Sequence, residues 1–441
     1  MLEALGRIGF GLFGLAVLVA IAWLFSSDKR RVDWRLVLIG LVLQIVVASL
    51  VLLTPWGASV FDGLSSGFVR LLGFTTEGAR FIFGDFADPA KFGFVFAFQV
   101  LPTIIFFASF MSVLYHLGVM QKIVQGMAWV ITKLMRVSGA ETLSVCANAF
   151  IGQTEAPLVV RPYIAGMTPS ELLTLMVGGM ATIAGGVLGA YVLLLGGSDP
   201  AQQAFYAKHL ITASIMAAPA TLVIAKILMP ETGEPLTLGK VRVEVEKNTA
   251  NVIDAAASGA ADGLKLALNV GAMLLAFIAL IALLNAPLVW LGEITGLQSV
   301  LGRPTDLSAM LGYLLSPIAW VIGVPWQDAN TVGGLIGTKV VLNEFVAYVQ
   351  LGEILRGGVD GVTLTDQGRL IATYALCGFA NFSSIAIQIG GIGGLAPERR
   401  GDLARLGLRA VLGGSIATLM TATIAGVLTW LGPAPPLQGP L

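Results

Sequence analysis

The stretch Asn148-Ala149-Phe150-Ile151-Gly152-Gln153-Thr154-Glu155-Ala156-Pro157 lies inside an apolar run, Glu141 to Tyr163, that is long enough to enter a lipid bilayer. It cannot be an ordinary membrane span. A charged side chain at mid-bilayer costs at least ~2.5–3.5 kcal/mol on insertion scales, and here Gln153, Thr154 and Glu155 follow one another at the centre. Gly152 and Pro157 frame a tight turn, so the run reads as two half-helices meeting at a polar tip. A second run, Thr331 to Gln350, carries Asn343 and Glu344 at its middle. Basic residues gather in cytoplasmic loops, and the groups here are Lys29 to Arg35, Lys122 to Arg136, Arg161, Lys226 to Lys247 and Arg399 to Arg409. All five share one side only if neither run crosses. Both runs are therefore expected to be re-entrant hairpins, entering from opposite faces, with both chain termini outside.

The rest of the chain agrees with a membrane environment. Of 441 residues, 56% are hydrophobic and 12% charged, where soluble domains carry ~25% charged residues; mean hydropathy is +0.85. Lys+Arg 26 and Asp+Glu 26 cancel, which excludes a nucleic-acid binder held by a basic face and a disordered acidic chain. Cys146 and Cys377 lie far apart in apolar stretches, and His116 and His209 cannot build a multi-histidine site. Eight windows have the ~20 apolar residues a span needs: Ile8 to Phe25, Leu36 to Leu53, Phe92 to Tyr115, Leu172 to Leu195, Ala204 to Leu228, Leu264 to Trp290, Gly368 to Gly391 and Ala404 to Trp430. The first is kept as a span because no small-residue cleavage site closes it and Lys29-Arg30-Arg31 follow as a stop-transfer would. Trp56 to Lys91 mixes apolar and charged residues as an amphipathic helix on the outer membrane surface does. Met229 to Gly263, with Val241-Arg242-Val243-Glu244-Val245, reads as a cytoplasmic linker with a short surface helix.

The order hairpin, span, span occurs twice, at Glu141 to Leu228 and at Thr331 to Trp430, with one long span between. Because the hairpins enter from opposite faces, the units form an inverted repeat, an arrangement of membrane carriers that bind solute and ions at the midplane. The spans after each hairpin carry break signals, Gly178-Gly179-Met180-Ala181-Thr182-Ile183-Ala184-Gly185-Gly186 and Gly378-Phe379-Ala380-Asn381-Phe382-Ser383-Ser384. Freed backbone groups there must line a polar cavity; glycines that only permit close helix packing are the alternative. The expected organisation is residues 1–118 as three scaffold spans with the outer surface helix, 119–230 as the first repeat, 231–300 as linker and sixth span, 301–432 as the second repeat and 433–441 as a tail.

The polar residues at these tips and breaks are the candidate site. Thr154 alone could be a helix cap, but three consecutive hydrogen-bonding side chains at membrane depth exceed what a cap needs. Glu344 can accept from two adjacent hydroxyls at once, which suits a vicinal diol such as ribose; the competing reading is a proton-relay acid or an ion pair with Lys339. Lys339 itself is expected to snorkel to the surface or pair locally. Asn381 and Ser384 share a face, and Phe379 lies beside them; amide, hydroxyl and aromatic together suit a neutral polar ring compound, although single Asn or Ser residues often serve as interhelical glue. Gln44 and Gln99 read as such glue, and His116 and His209 as interfacial. Asn148 and Thr182 offer hard oxygen donors at a hairpin end and a span break, where cations such as Na⁺ bind.

Gly337-Thr338-Lys339-Val340-Val341-Leu342-Asn343-Glu344-Phe345-Val346-Ala347-Tyr348 fits the pattern G-x-K-x-x-x-N-E-F-V-A-Y of concentrative nucleoside transporters without a mismatch. The Gly152-Gln153-Thr154-Glu155 tip and the Gly378 to Ser384 segment are similar to that family's other binding motifs, and the resemblance extends over nearly the whole chain after the first span. It implies an all-α polytopic membrane protein of eight transmembrane helices plus two oppositely oriented re-entrant hairpins, assembled as a homotrimer in the cytoplasmic (inner) membrane. It implies that Gln153, Thr154 and Glu155 contact the nucleobase, with Val187 against its plane and Phe379 at its edge. Glu344, Asn381 and Ser384 would hold the ribose hydroxyls. Asn148 and Thr182, with the carbonyls of Ile151 and Ile183, correspond to the Na⁺ site; Thr182 stands where a serine is usual, and the hydroxyl is kept. Some bacterial members use protons instead. Spans one, two, three and six would be a fixed scaffold past which the hairpins and broken spans carry a uridine-like nucleoside as an elevator.

Two rivals remain at this level. A carrier of another small neutral polar solute would share the architecture, while two site carboxylates and no basic tip residue argue against an anionic one. An intramembrane hydrolase would need a Ser/Lys, paired Asp or H-E-x-x-H arrangement; no H-E-x-x-H occurs, and Ser383 and Ser384 have no base nearby in sequence.

Overall fold

The computed structural model describes residues 2–240, 249–301, 305–357 and 362–431, and among these the regular structure is helical apart from an isolated β-bridge between Ser138 and Leu238. The described chain begins with α1 (Leu2–Leu24) and α2 (Trp34–Leu53), whose start is fixed by Asp33 Oδ1 accepting from the backbone N–H groups of Arg35 and Leu36. The amphipathic α3 (Pro55–Phe83) follows, capped by Thr54 with Pro55 at its first position, then α4 (Pro89–Phe92) and α5 (Phe96–His116). Proline is tolerated there because the first helical N–H has no partner to lose.

From here the chain runs through one structural programme twice. The first pass is α6 (Val119–Met135), α7 (Gly139–Ile151), α8 (Arg161–Ile164), α9 (Pro169–Ala181), α10 (Gly185–Gly196) and α11 (Pro200–Leu228). After α12 (Val252–Ile294) and α13 (Leu297–Leu301), the second pass is α14 (Leu307–Val321), α15 (Trp326–Val341), α16 (Glu344–Leu355), α17 (Asp366–Ala375), α18 (Phe382–Leu395) and α19 (Arg400–Leu431). In each pass one helix, amphipathic in the first (α6) and apolar in the second (α14), leads into a two-armed hairpin, then two half-length helices, then one long helix.

Seven of the resulting elements are long and apolar enough to cross a membrane: Ala4–Leu24, Trp34–Leu53, Phe96–His116, Pro169–Gly196, Pro200–Leu228, Val252–Ile294 and Pro397–Leu431. The eighth expected span is present as α17 and α18. The break at Leu376 to Asn381 leaves neither half long enough to cross alone. α14 and α15 bend by 117° at their junction, which turns the chain back and makes α15 the first arm of the second hairpin.

Three expectations change in detail. The second arm of the first hairpin is not a regular half-helix: a 3-10 turn over Ala156–Val160 leads into the four-residue α8, because Pro157 and Pro162 remove backbone donors and Val159-Val160 is β-branched. The sixth span starts earlier than its apolar window, at Val252, so the C-terminal part of the Met229 to Gly263 linker belongs to a 43-residue helix. At 1.5 Å per residue it is about 65 Å long, twice a bilayer's apolar core. His209 is not interfacial but buried, its Nδ1 2.9 Å from the Tyr374 hydroxyl. The Val241 to Val245 segment and the 433–441 tail lie outside the described residues.

Burial divides the molecule as the repeat does. Within its most apolar window α11 is 89% buried and α12 only 17%. The repeats form a bundle that encloses its own core, while α12 lies along the outside. The two breaks meet at the centre of that bundle. Phe379 N–H donates to Thr182 O at 3.3 Å, and a Cβ on Gly378 would lie 2.8 Å from Met180 O and 3.0 Å from the Ala181 carbonyl carbon. Only a glycine allows that approach.

A buried ion cluster ties the first hairpin to α11. Lys226 Nζ lies 2.8 Å from Glu141 Oε2 and 3.3 Å from Glu231 Oε2, with Ser170 Oγ at 3.0 Å. Glu141 also accepts from the Ser138 N–H at 3.0 Å, the reciprocal half of a capping box on α7. Breaking such a pair from one side strands the other charge, at ~3–5 kcal/mol. Lys226→Met is expected to lower the unfolding temperature in detergent by many degrees; an unchanged transition would contradict this reading of the cluster.

Candidate functional site

α7 stops at Ile151 because Gly152 takes φ +95°, and a Cβ there would lie 2.9 Å from Ala184 Cβ. The first tip is thereby pressed against the first break. In the second repeat, Asn343 Oδ1 accepts from Val346 N–H at 2.9 Å and starts α16, while Asn381 Oδ1 accepts from Ser384 N–H at 2.9 Å and starts α18. Both asparagines are N-caps. The N-termini of α10, α16 and α18, where backbone N–H groups and the positive dipole end are free, border one cavity together with the first tip.

A hydrogen-bonded thread runs across that border. Gln388 Nε2 donates to Gln153 Oε1 at 3.2 Å, Gln153 Nε2 donates to Ser384 Oγ at 3.2 Å, and Ser384 N–H donates to Asn381 Oδ1. Asn381 Nδ2 then donates to Glu344 Oε2 at 3.3 Å, and the Tyr191 hydroxyl donates to Glu344 Oε1 at 2.9 Å. Glu344 is 5% exposed, a carboxylate held by two donors with acceptor capacity left over. The tip of one repeat and the carboxylate of the other are joined in a few steps.

The cavity has a volume of about 1350 Å³ and is lined by Gln153, Thr154, Glu155, Val187, Glu344, Phe379, Asn381 and Ser384, the whole set of organic-ligand residues expected from sequence. It exceeds the ~300–1,000 Å³ of common small-molecule pockets. The excess is a passage reaching His116, Gln121, Arg161 and Thr249, with Tyr115 of α5 and Asp262 and Asn269 of α12 along it. Thr154 Oγ1 donates to Glu155 Oε1 at 2.8 Å, and Glu155 faces the passage.

Two residues in the thread were not anticipated. Gln388 lies four positions after Ser384 and seven after Asn381, so all three share one face of α18; that spacing was the available signal. Tyr191 lies four after Val187 on α10, but a tyrosine in an apolar helix has no distinctive pattern. Lys339, expected near the surface, is 1% exposed; its Nζ donates to Ala375 O and Thr418 Oγ1, each at 2.8 Å. The carbonyl at the end of α17 and a hydroxyl of α19 meet the lysine inside the bundle, so it has no need to reach water.

The residues expected to hold a cation lie at the ends of α7 and α9, next to the first tip and the first break. Asn148 is 1% exposed, and neither its Nδ2 nor its Oδ1 has a hydrogen-bond partner. A buried polar group left unpaired costs ~1–3 kcal/mol, and a hard cation would satisfy the Oδ1 of this amide. Thr182 Oγ1 donates to Gly178 O at 3.0 Å, leaving its lone pairs free. Ile151 closes α7 and Ile183 lies in the break, so their carbonyls fall at helix C-termini, the negative dipole ends. The donor set of amide, hydroxyl and carbonyls fits Na⁺.

Residues 209–426 match the family described as Na⁺ dependent nucleoside transporter C-terminus, residues 13–86 the corresponding N-terminus, and residues 97–198 a family named Gate and described as nucleoside recognition. The nucleoside permease NupC of Helicobacter pylori is 42% identical over 427 residues, covering 96% of this chain and 98% of its own. Sodium/nucleoside cotransporter 1 of Mus musculus is 40% identical over 94% of this chain, which spans 63% of that longer protein. Among solved structures, CNTnw in an inward-facing substrate-bound state is 45% identical with a TM-score of 0.85, covering 96% of this chain and 98% of that one. A variant of CNTnw in an outward-facing state aligns with a TM-score of 0.88 at 44% identity, covering 97% and 100%. With its helical repeat and a cavity bordered by both hairpins, the chain belongs to the concentrative nucleoside transporter family, and it is a membrane transporter and not an enzyme.

Proposed function

We propose that the chain imports nucleosides of the uridine type across the cytoplasmic membrane, coupled to Na⁺ entry. The observation that supports this most is the thread from Gln153 through Ser384 and Asn381 to Glu344, which borders one cavity from both repeats. The nucleobase takes the Gln153, Thr154 and Glu155 side, with Val187 against its plane and Phe379 at its edge. The ribose diol takes Glu344, Asn381 and Ser384, replacing contacts these groups make with one another. Na⁺ takes Asn148, Thr182 and the carbonyls of Ile151 and Ile183. It steadies the first tip before the nucleoside arrives, and it drives uptake because it favours the loaded state.

Orientation follows from charge. The passage opens beside Arg161 and Gln121, next to the Lys122 to Arg136 group, and lysine and arginine favour the cytoplasm. The conformation is inward-open, with both termini outside. Residues 119–230 and 301–432 form the moving domain, and α1, α2, α5 and α12 the scaffold. Gly189 presses α10 against Thr103 and Phe107 of α5, a smooth contact along which an elevator can slide. In a homotrimer the exposed apolar faces of α3 and α12, including Phe81 and Leu275, would meet neighbouring subunits or lipid.

Proton coupling is the second reading, favoured by the buried carboxylate of Glu344. Uridine uptake into proteoliposomes with Na⁺ replaced by choline, at two pH values, separates the two. Uptake is expected to fall to background in choline at both; uptake that persists and follows the pH gradient would replace Na⁺ by H⁺. Competition by amino acids and not by nucleosides would overturn the substrate class.

A further inference from the structure

The two repeats set the same electrostatic problem and solve it differently. In each, a hairpin arm ends beside a broken span whose first half also ends there: α7 with α9, and α15 with α17. Each helix C-terminus carries roughly half a negative charge on unpaired carbonyls. Two such ends converging in an apolar bundle call for a cation. Each arm also places one buried polar side chain within a turn of its end, Asn148 before Ile151 and Lys339 before Val341, both 1% exposed.

In the first repeat that side chain is neutral and its amide has no partner. In the second it is an ammonium, donating at 2.8 Å to the carbonyl of Ala375, the last residue of α17. Its other acceptor, Thr418 Oγ1 on α19, passes its own proton to Ser415 O at 2.9 Å and is therefore free to accept. We propose that the Lys339 ammonium is the tethered counterpart, in the second repeat, of the exchangeable cation bound beside Asn148 in the first. This rests on the cation reading of Asn148 given above. The chain then carries one cation permanently and exchanges one per cycle. Lys339 also acts as a positioning residue, since the helix end it holds leads directly into the Leu376 to Asn381 break that presents Asn381 and Ser384.

The test is uridine binding to purified protein as a function of Na⁺ concentration, with and without methylammonium. The wild type is expected to show first-order dependence on Na⁺. Lys339→Ala empties the tethered site and should weaken uridine binding by about tenfold or more, the scale of charged hydrogen bonds. Methylammonium should restore that binding, and high Na⁺ should restore it with second-order dependence. Lys339→Met fills the space without charge and should lose binding that neither cation restores, whereas Lys339→Arg should retain most of it. If Lys339→Ala proves unstable, its unfolding temperature should rise with methylammonium and not with choline, a shift absent in Lys339→Met. Wild-type affinity with first-order Na⁺ dependence in Lys339→Ala would overturn the proposal, as would an equal loss in Ala and Met variants unmoved by either cation. Should wild-type binding ignore Na⁺ while methylammonium still rescues Lys339→Ala, the coupling ion is misassigned and the tethered cation stands.

Discussion

Glu344→Gln is expected to abolish saturable uridine uptake and to weaken equilibrium binding at least a hundredfold. The carboxylate is buried and already accepts from the Tyr191 hydroxyl and Asn381 Nδ2. A carboxylate has about four lone-pair sites, so two remain for the hydroxyls of a diol. Glutamine keeps the shape and replaces one acceptor oxygen by a donor, which would then face Tyr191, Asn381 or the ligand's own hydroxyls. Hydrogen bonds to charged groups contribute ~1.5–3 kcal/mol each, and losing two is a factor of ~10²–10⁴ in affinity. Asn381→Ala should approach the same loss by a second route. It removes a ligand contact and also the cap that accepts from Ser384 N–H, which costs ~0.5–2 kcal/mol in helix stability and loosens the start of α18. Binding within tenfold of wild type in both variants would sink the assignment.

Asn148→Ala is expected to uncouple uridine binding from Na⁺. In the wild type, Na⁺ and nucleoside should raise each other's affinity by one shared factor, and coupling free energies of ~1–3 kcal/mol correspond to ~5–150-fold. Removing the unpartnered amide deletes a side-chain donor from the ion and leaves the carbonyls of Ile151 and Ile183 without support. The Na⁺ concentration for half-maximal binding should rise by more than about tenfold, and the affinity gain from Na⁺ should shrink in step. Thr182→Ser keeps the hydroxyl and serves as the control, with near-normal Na⁺ dependence. Na⁺ titrations of uridine binding by calorimetry decide the matter; unchanged Na⁺ dependence in Asn148→Ala would remove that residue from the ion site.

The two hairpins were legible because lipid forbids what their middles contain. Gln153-Thr154-Glu155 and Asn343-Glu344 could not be ordinary span interiors, and the basic residues then fixed which way each run turned. The breaks were legible for a related reason: Gly178 to Gly186 and Gly378 to Ser384 combine weak helix formers with side chains able to satisfy freed backbone. Partners distant in sequence were not legible. Lys339 reads as a snorkelling lysine until Ala375 and Thr418, 36 and 79 residues away, are brought to it. Tyr191 gains its meaning only from Glu344, 153 positions later. The start of α12 was missed because Ala255-Ala256-Ala257-Ser258-Gly259 is too weakly apolar to extend a span window. Its small residues instead let α12 pack closely on α5, where a Cβ on Gly259 would lie 2.8 Å from Ala108 O.

One ligand is expected to touch both inverted units at once. Thiol labelling of Thr154→Cys and Ser383→Cys, made separately, addresses this directly. The two side chains line the same cavity from different repeats, and the native thiols of Cys146 and Cys377 are buried and should stay silent. Uridine together with Na⁺ is predicted to slow modification at both positions with the same concentration dependence. Protection at one position with none at the other would contradict a shared site.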